Sequence, residues 1–160
     1  MRPKPFVPEI YDGDQRLVRD TMTGTLWHRA FHRTLYADTD RSTWVYHANY
    51  LHYFELGRAS LMRDFNYSYK EVEEDGFVYP IIDTAVAYHQ PLGYDDPMWI
   101  HTRPGEMEKV RITFYYVITH LDTGNIVCKG HTRHCAMRAA TGTVTAIDPK
   151  TLRIWEAFPK

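Results

Sequence analysis

The spacing of hydrophobic and polar positions changes period along this chain. Between residues 49 and 65 apolar residues recur three and four apart. Placed at 100° steps, Leu51, Phe54, Leu61, Met62 and Phe65 share one face, with Tyr50 at its edge, which predicts an amphipathic helix. Asn49 is its expected N-cap. Gly57 weakens it by about 1 kcal/mol relative to alanine. Residues 68–75 predict a short second helix, capped by Ser68 and stopped at Gly76. The pattern predicts strands over 16–20, 26–36, 77–89, 98–103, 106–121 and 126–138. Turn residues cluster at 21–24, 91–93, 95–97, 122–125 and 140–142. Pro104-Gly105 marks either a strand boundary or a bulge inside one long strand.

Residues 1–13 read as an irregular, proline-rich arm closed by Gly13, and 14–24 as an extra strand and turn. The tail, 148–160, predicts one helical turn after Pro149. The 160 residues fit one domain. A strand, a long helix and then several long antiparallel strands give an α+β class. One helix cannot cover both faces of such a sheet. The simplest layout is a curved antiparallel sheet wrapped around a central helix, a hotdog fold, with another copy burying what remains. At least a dimer is expected.

Composition narrows the function. Net charge is -1, and Lys and Arg are scattered rather than clustered. No basic tract suits a phosphate backbone, so nucleic acid is not an expected partner. No stretch approaches the ~20 apolar residues of a membrane span. The first ten residues hold three prolines and no apolar run, unlike a signal peptide. Cys128 and Cys135 fall on one predicted strand, about 23 Å apart, too far for a disulfide within the chain. Two free thiols fit a reducing compartment, and the expected location is the cytoplasm.

The segment from Tyr36 to Leu51 carries the candidate chemistry. Asp38 and Asp40 precede an aromatic-histidine pair, Tyr46-His47, at the start of the long helix. A helix start presents unpaired amides and partial positive charge, which suits a developing oxyanion. A carboxylate on the adjoining loop could act as nucleophile or general base. The same pattern also describes an ordinary acidic loop of caps and turn formers.

These residues are similar to a known motif. Tyr36-x-Asp38-Thr39-Asp40, four residues, then Val45-Tyr46-His47-Ala48-Asn49-Tyr50-Leu51, with Phe54-Glu55 and Arg58, resembles the 4-hydroxybenzoyl-CoA thioesterase family, in particular its bacterial branch of short acyl-CoA thioesterases. Pro80-Ile81, Tyr88, Pro91, Tyr94-Asp95-Asp96, Arg111 and Phe114 follow in the same order, so the resemblance covers roughly residues 25–140. It implies hydrolysis of an acyl-CoA to free acid and CoA, with no cofactor beyond the CoA of the substrate. It assigns the catalytic carboxylate to Asp40, places His47 beside the thioester, and gives the carbonyl oxygen to a backbone amide at the helix start. Asp38 shapes the turn. Beside the resemblance, Trp44, Tyr46 and Asn49 are expected substrate contacts, and Lys109 and Arg111 on late strands either hold the CoA phosphates of a neighbouring subunit or are ordinary solvated surface charges. The resemblance also implies a homotetramer built from two dimers.

This sequence departs from the family between Asp40 and Val45. A small, glycine-containing stretch is usual there, and here it reads Arg41-Ser42-Thr43-Trp44. Trp44 either narrows the acyl site, stacks on an aromatic acyl group, or turns into the core. Arg41 would lower the pKa of Asp40 only if the two side chains meet. Arg58 sits on the apolar stripe, either paired with Glu55 or with its head carried out to solvent. Glu55 is the alternative carboxylate, because another hotdog branch draws its own from the central helix. His131 and His134 face opposite sides of a strand, and His28 and His32 lack a third ligand, so no metal site is expected. Three functions remain: an acyl-CoA thioesterase; an acyl carrier protein thioesterase or dehydratase of the same fold; and a non-catalytic acyl-CoA binding module.

Overall fold

The predicted long helix forms over Asn49–Asp64, here α1. Its buried face is Tyr50, Tyr53, Phe54, Gly57, Leu61 and Met62. Leu51 is instead exposed, because the face centres on Phe54 and Leu61 rather than between Leu51 and Phe65. The cap position is Ala48, and Asn49 is already helical. The computed structural model describes residues 3–160.

The described residues also form ten strands, two further α-helices and a 3-10 turn at Tyr36–Asp38: β1 (Pro8–Tyr11), β2 (Asp14–Asp20), β3 (Leu26–Arg33), α2 (Tyr69–Glu74), β4 (Phe77–Val78), β5 (Ile81–Tyr88), β6 (Pro97–Met107), β7 (Arg111–His120), β8 (Ile126–Cys135), β9 (Met137–Arg138), β10 (Thr143–Val144) and α3 (Pro149–Ala157). Seven strands make one sheet in the order β1-β2-β3-β6-β7-β8-β5, antiparallel throughout. The curved sheet and its helix form a hotdog fold. β10-β9-β4 form a small second sheet.

The helix crosses the middle of the sheet at close range. Phe54 stacks on Tyr116 of β7, ring centres 4.2 Å apart and planes within 5°. One turn on, Gly57 meets Ile100 and Thr102 of β6, where a Cβ would overlap both side chains. The glycine that costs helix propensity is therefore what lets helix and sheet touch. On the outer face Phe6 packs against Trp27 and lies 4.3 Å from the ring of His101. Burial there pushes the His101 pKa down to about 3.

Three further expectations change, and the choice left open at Pro104-Gly105 falls to the bulge. Residues 8–11 of the arm pair with β2 as a strand. The strand expected over 77–89 breaks at Tyr79-Pro80, between β4 and β5. Pro104-Gly105 lies inside β6, with the register shift of a bulge between Pro104 and Met107. The tail forms nine helical residues, capped by Asp148, whose side chain accepts from the Thr151 amide. α2 forms as expected, with a capping box between Ser68 and Glu71. Among the described residues no helix is long and apolar enough to cross a membrane. Cys128 and Cys135 are free thiols.

Candidate active site

Asp38 fixes the loop before α1. Its carbonyl accepts from the Tyr46 amide at 2.9 Å and from Asn49 Nδ2 at 2.8 Å. Its carboxylate accepts from the Leu35 amide at 3.0 Å and from the Tyr53 hydroxyl at 2.8 Å. One residue thus ties the loop to both the first and second turns of the helix.

Asp40 lies two residues beyond that anchor. Oδ1 accepts from the Ser42 amide at 2.7 Å and from the Ser42 hydroxyl. The Thr43 amide bonds back to the Asp40 carbonyl at 3.0 Å, and the Asp40 amide donates to the Trp44 carbonyl at 3.0 Å. This closes a tight turn. Its cost falls on Thr43, whose φ is 74°, in the left-handed region where the glycine of the family pattern would be unstrained. The Ser42 hydrogen bonds, side chain first and then backbone, hold the Asp40 pKa below the usual carboxylate range, and His47 adds a smaller pull. Oδ2 makes no hydrogen bond among the described residues and is open to solvent.

The helix start supplies donors. The Asn49 amide bonds to the Tyr46 carbonyl at 2.9 Å and the Leu51 amide to the Ala48 carbonyl at 3.2 Å. The amides of His47, Ala48 and Tyr50 have no acceptor among the described residues. Tyr88, at the end of β5, donates its hydroxyl to the His47 carbonyl at 2.8 Å. On the other side the Val45 amide bonds to the Leu92 carbonyl at 2.8 Å, and the Leu92 amide reaches the Tyr50 hydroxyl at 3.3 Å. Burial pushes the Tyr50 pKa up to about 12, so this phenol stays neutral.

Residues 34–154 match the model of a family described as the thioesterase-like superfamily. The chain belongs to that superfamily. Bacillus subtilis YneP, whose name reads "Putative acyl-CoA thioesterase YneP", is 40% identical over 67 residues, or 42% of this chain and 49% of that protein. The chain thus spans about half the length of YneP in this match. The Haemophilus influenzae acyl-CoA thioesterase YbgC is 32% identical over 83 residues, 51% of this chain and 61% of that one. The solved DHNA-CoA thioesterase of Staphylococcus aureus shares the fold, with a TM-score of 0.77 at 22% identity over 81% of this chain and 89% of that chain.

In this superfamily member Asp40, His47, Trp44 and Tyr46 share one exposed corner. The Trp44 ring is 48% exposed and lies against Gly93 rather than in the core. The Tyr46 ring rests on His47, centres 4.4 Å apart. Asn49 Nδ2 is committed to Asp38, inside the protein. Arg41 is exposed, and no ion pair joins it to Asp40 among the described residues. Lys109 and Arg111 do not join this corner within one chain. They sit at the β6–β7 turn, the opposite end of β6 and roughly 30 Å along the strand, where Arg111 faces Glu108 at 3.8 Å. The sequence places Ser42 in the departing stretch and Tyr88 among the matching residues, and assigns neither a role at the site. Ser42 carries a local signal, an Asp two residues before a Ser. Tyr88 carries none for this contact, because it comes from the far edge of the sheet.

Proposed function

We propose that this chain hydrolyses acyl-CoA thioesters, as the names of its relatives YneP and YbgC say of those proteins. The observation that carries the reading is the Asp38 anchor. It holds a turn bearing one open carboxylate oxygen beside a helix start with three amides lacking acceptors. The thioester oxygen would take those amides, where charge builds as the carbonyl becomes tetrahedral. Asp40, ionised at neutral pH, then attacks the carbonyl carbon and expels the CoA thiolate, leaving a mixed anhydride for water to open. Alternatively it takes a proton from a water that attacks directly. His47 would orient that water or the leaving sulfur, with Trp44 and Tyr46 along the acyl group.

The finer placement, in the 4-hydroxybenzoyl-CoA thioesterase family, rests on the run from Asp38 to Asn49. Asp40 lines none of five clefts found among the described residues of a single chain. We read this as a site completed by a second copy along β5, which is exposed along most of its length and ends at Tyr88 beside His47. Lys109 and Arg111 of that assembly would then meet the CoA phosphates. The whole chain acts as one hotdog domain, and its two free thiols suit the cytoplasm.

The test is acyl-CoA turnover followed with a thiol reagent across short, long and aromatic acyl groups, for wild type and Asp40→Asn. We expect the variant to lose at least ~100-fold in kcat. Full turnover in Asp40→Asn would move the chemistry to Glu55. Binding without turnover across the panel would leave a binding module, and turnover confined to acyl carrier protein thioesters would change the substrate class. A single turnover in oxygen-18 water separates the two: direct attack followed by water opening the anhydride at the Asp40 carbon leaves the label on Asp40, whereas water activation puts the label only in the acid.

A further inference from the structure

A second polar centre lies on the later half of α1, nine residues past Asn49 and so roughly 13 Å along the axis from it. α1, α2 and β4 enclose a cleft of about 390 Å³. Ala59, Val72, Phe77 and Val78 give it apolar walls. Arg58 and Tyr69 also line it. Arg58 Nη1 and the Tyr69 hydroxyl are both closed off from bulk water, and neither has a hydrogen-bond partner among the described residues. The ion pairs of the described residues do not include Arg58. Glu55, expected as its partner, stays beyond that range on the rim.

The hydrogen-bonded groups packed beneath Arg58 carry no charge. The Tyr116 hydroxyl meets Thr132 Oγ1 at 2.6 Å, Thr132 Oγ1 meets His134 Nε2 at 2.8 Å, and His134 Nδ1 meets the Tyr79 carbonyl at 2.9 Å. A carbonyl only accepts, so Nδ1 donates to it, Nε2 accepts from Thr132, and Thr132 accepts from Tyr116. Burial keeps His134 neutral, with its pKa near 4. The chain is satisfied and uncharged from end to end. Arg58 is then a part-buried cation beside the Tyr69 and Tyr116 phenols, with Glu55 acting on it from the rim and beyond ion-pair range, and the Tyr69 hydroxyl is a second donor without an acceptor. Proteins tolerate such unpaired buried charge poorly, so its presence beside an apolar cleft points to a ligand.

We infer that the Arg58–Tyr69 cleft receives the carboxylate of an apolar organic acid. The guanidinium and the phenol supply two donors to its oxygens, and the apolar walls take its body. Glu55 and Glu73 at the mouth oppose polyanions and so favour a single carboxylate. Two sources share this chemistry: a free acid, or the far end of an acyl chain that bears a second carboxyl. The cleft itself does not rest on the thioesterase reading.

Titration calorimetry with octanoate and with 1-octanol tests it. We expect wild type to bind octanoate roughly tenfold or more tightly than the alcohol. Arg58→Met should remove that preference, and Tyr69→Phe should weaken octanoate roughly threefold, both leaving the alcohol unchanged. Tyr69→Phe deletes one oxygen and keeps the test alive if Arg58→Met fails to fold. Equal binding of acid and alcohol by wild type, or octanoate binding untouched by Tyr69→Phe and by a folded Arg58→Met, would overturn the inference. The source is read from turnover of dodecanedioyl-CoA against dodecanoyl-CoA, the one arm that depends on thioesterase activity. A preference for the diacyl form that vanishes in Arg58→Met places the carboxyl on the acyl chain. Octanoate binding without that preference places a free acid in the cleft.

Discussion

The Tyr88 hydroxyl donates to the His47 carbonyl at 2.8 Å, joining the last residue of the edge strand β5 to the turn that opens α1. The bond ties the proposed oxyanion amides to the sheet. Tyr88→Phe should cost only about 1 kcal/mol of stability, the net value of one hydrogen bond. Its effect on kcat should be larger, roughly tenfold, because loosened amides misplace the carbonyl. Steady-state kinetics beside thermal unfolding checks this. Loss of stability with unchanged kcat would leave Tyr88 a purely structural tie.

Ser42 should set the acid limb of the pH profile. Its hydrogen bonds lower the Asp40 pKa, and a group whose pKa is lowered stays ionised further into acid. Wild-type kcat/KM should therefore hold down to pH values below the ordinary carboxylate pKa of about 4. Ser42→Ala keeps the backbone bond and removes the hydroxyl, so the limb should move upward. An unmoved limb would mean that another group governs it.

Thr43 holds a left-handed backbone conformation, φ 74°, that costs a β-branched residue about 1–2 kcal/mol. Thr43→Gly removes this strain but adds disorder to the unfolded chain. The expected net gain is about 0.5–1 kcal/mol, read as a higher urea midpoint at unchanged slope.

Gly57→Ala tests the helix–sheet contact. Alanine gains about 1 kcal/mol of helix propensity. Its methyl would strike Thr102 and Ile100, and overpacking of this kind costs about 1–3 kcal/mol. A lowered melting temperature is expected. A raised one would mean that the helix shifts cheaply.

Buried histidines should make the fold acid-sensitive. Burial pushes His101 to about 3 and His134 to about 4. Their unfolded forms titrate near 6.5, so below that pH the unfolded chain binds more protons and stability falls. Between pH 6.5 and 5 each contributes a loss of about 2 kcal/mol, continuing until its folded-state pKa is reached. His101→Phe should flatten part of that slope in denaturant titrations at stepped pH.

What the chain discloses in advance is what local period encodes. Residues 49–64 announce their helix through apolar spacing, and Ser68 and Gly76 announce the bounds of the next. Asp38 and Asp40 are legible as a loop before a helix, although their separate jobs come from partners at Tyr53 and Ser42. Distant pairing stays hidden. Residues 8–11 look irregular because a proline begins them, and only β2 makes them a strand. Leu51 and Arg58 exchange their expected exposures, since the sheet decides which face of α1 is covered.

The two edges of the large sheet are unlike. β1 is four residues long, starts at Pro8 and carries a register shift between Ile10 and Tyr11, whereas β5 runs eight residues with Ile81 and Ile82 uncovered. A molecule with two sticky borders can polymerise into fibres; one with a single sticky border can only close on a twin about a two-fold axis. The proline at the blunt border thus guards against filament growth, and a variant that smooths β1, such as Pro8→Val, is where unwanted elongation would begin.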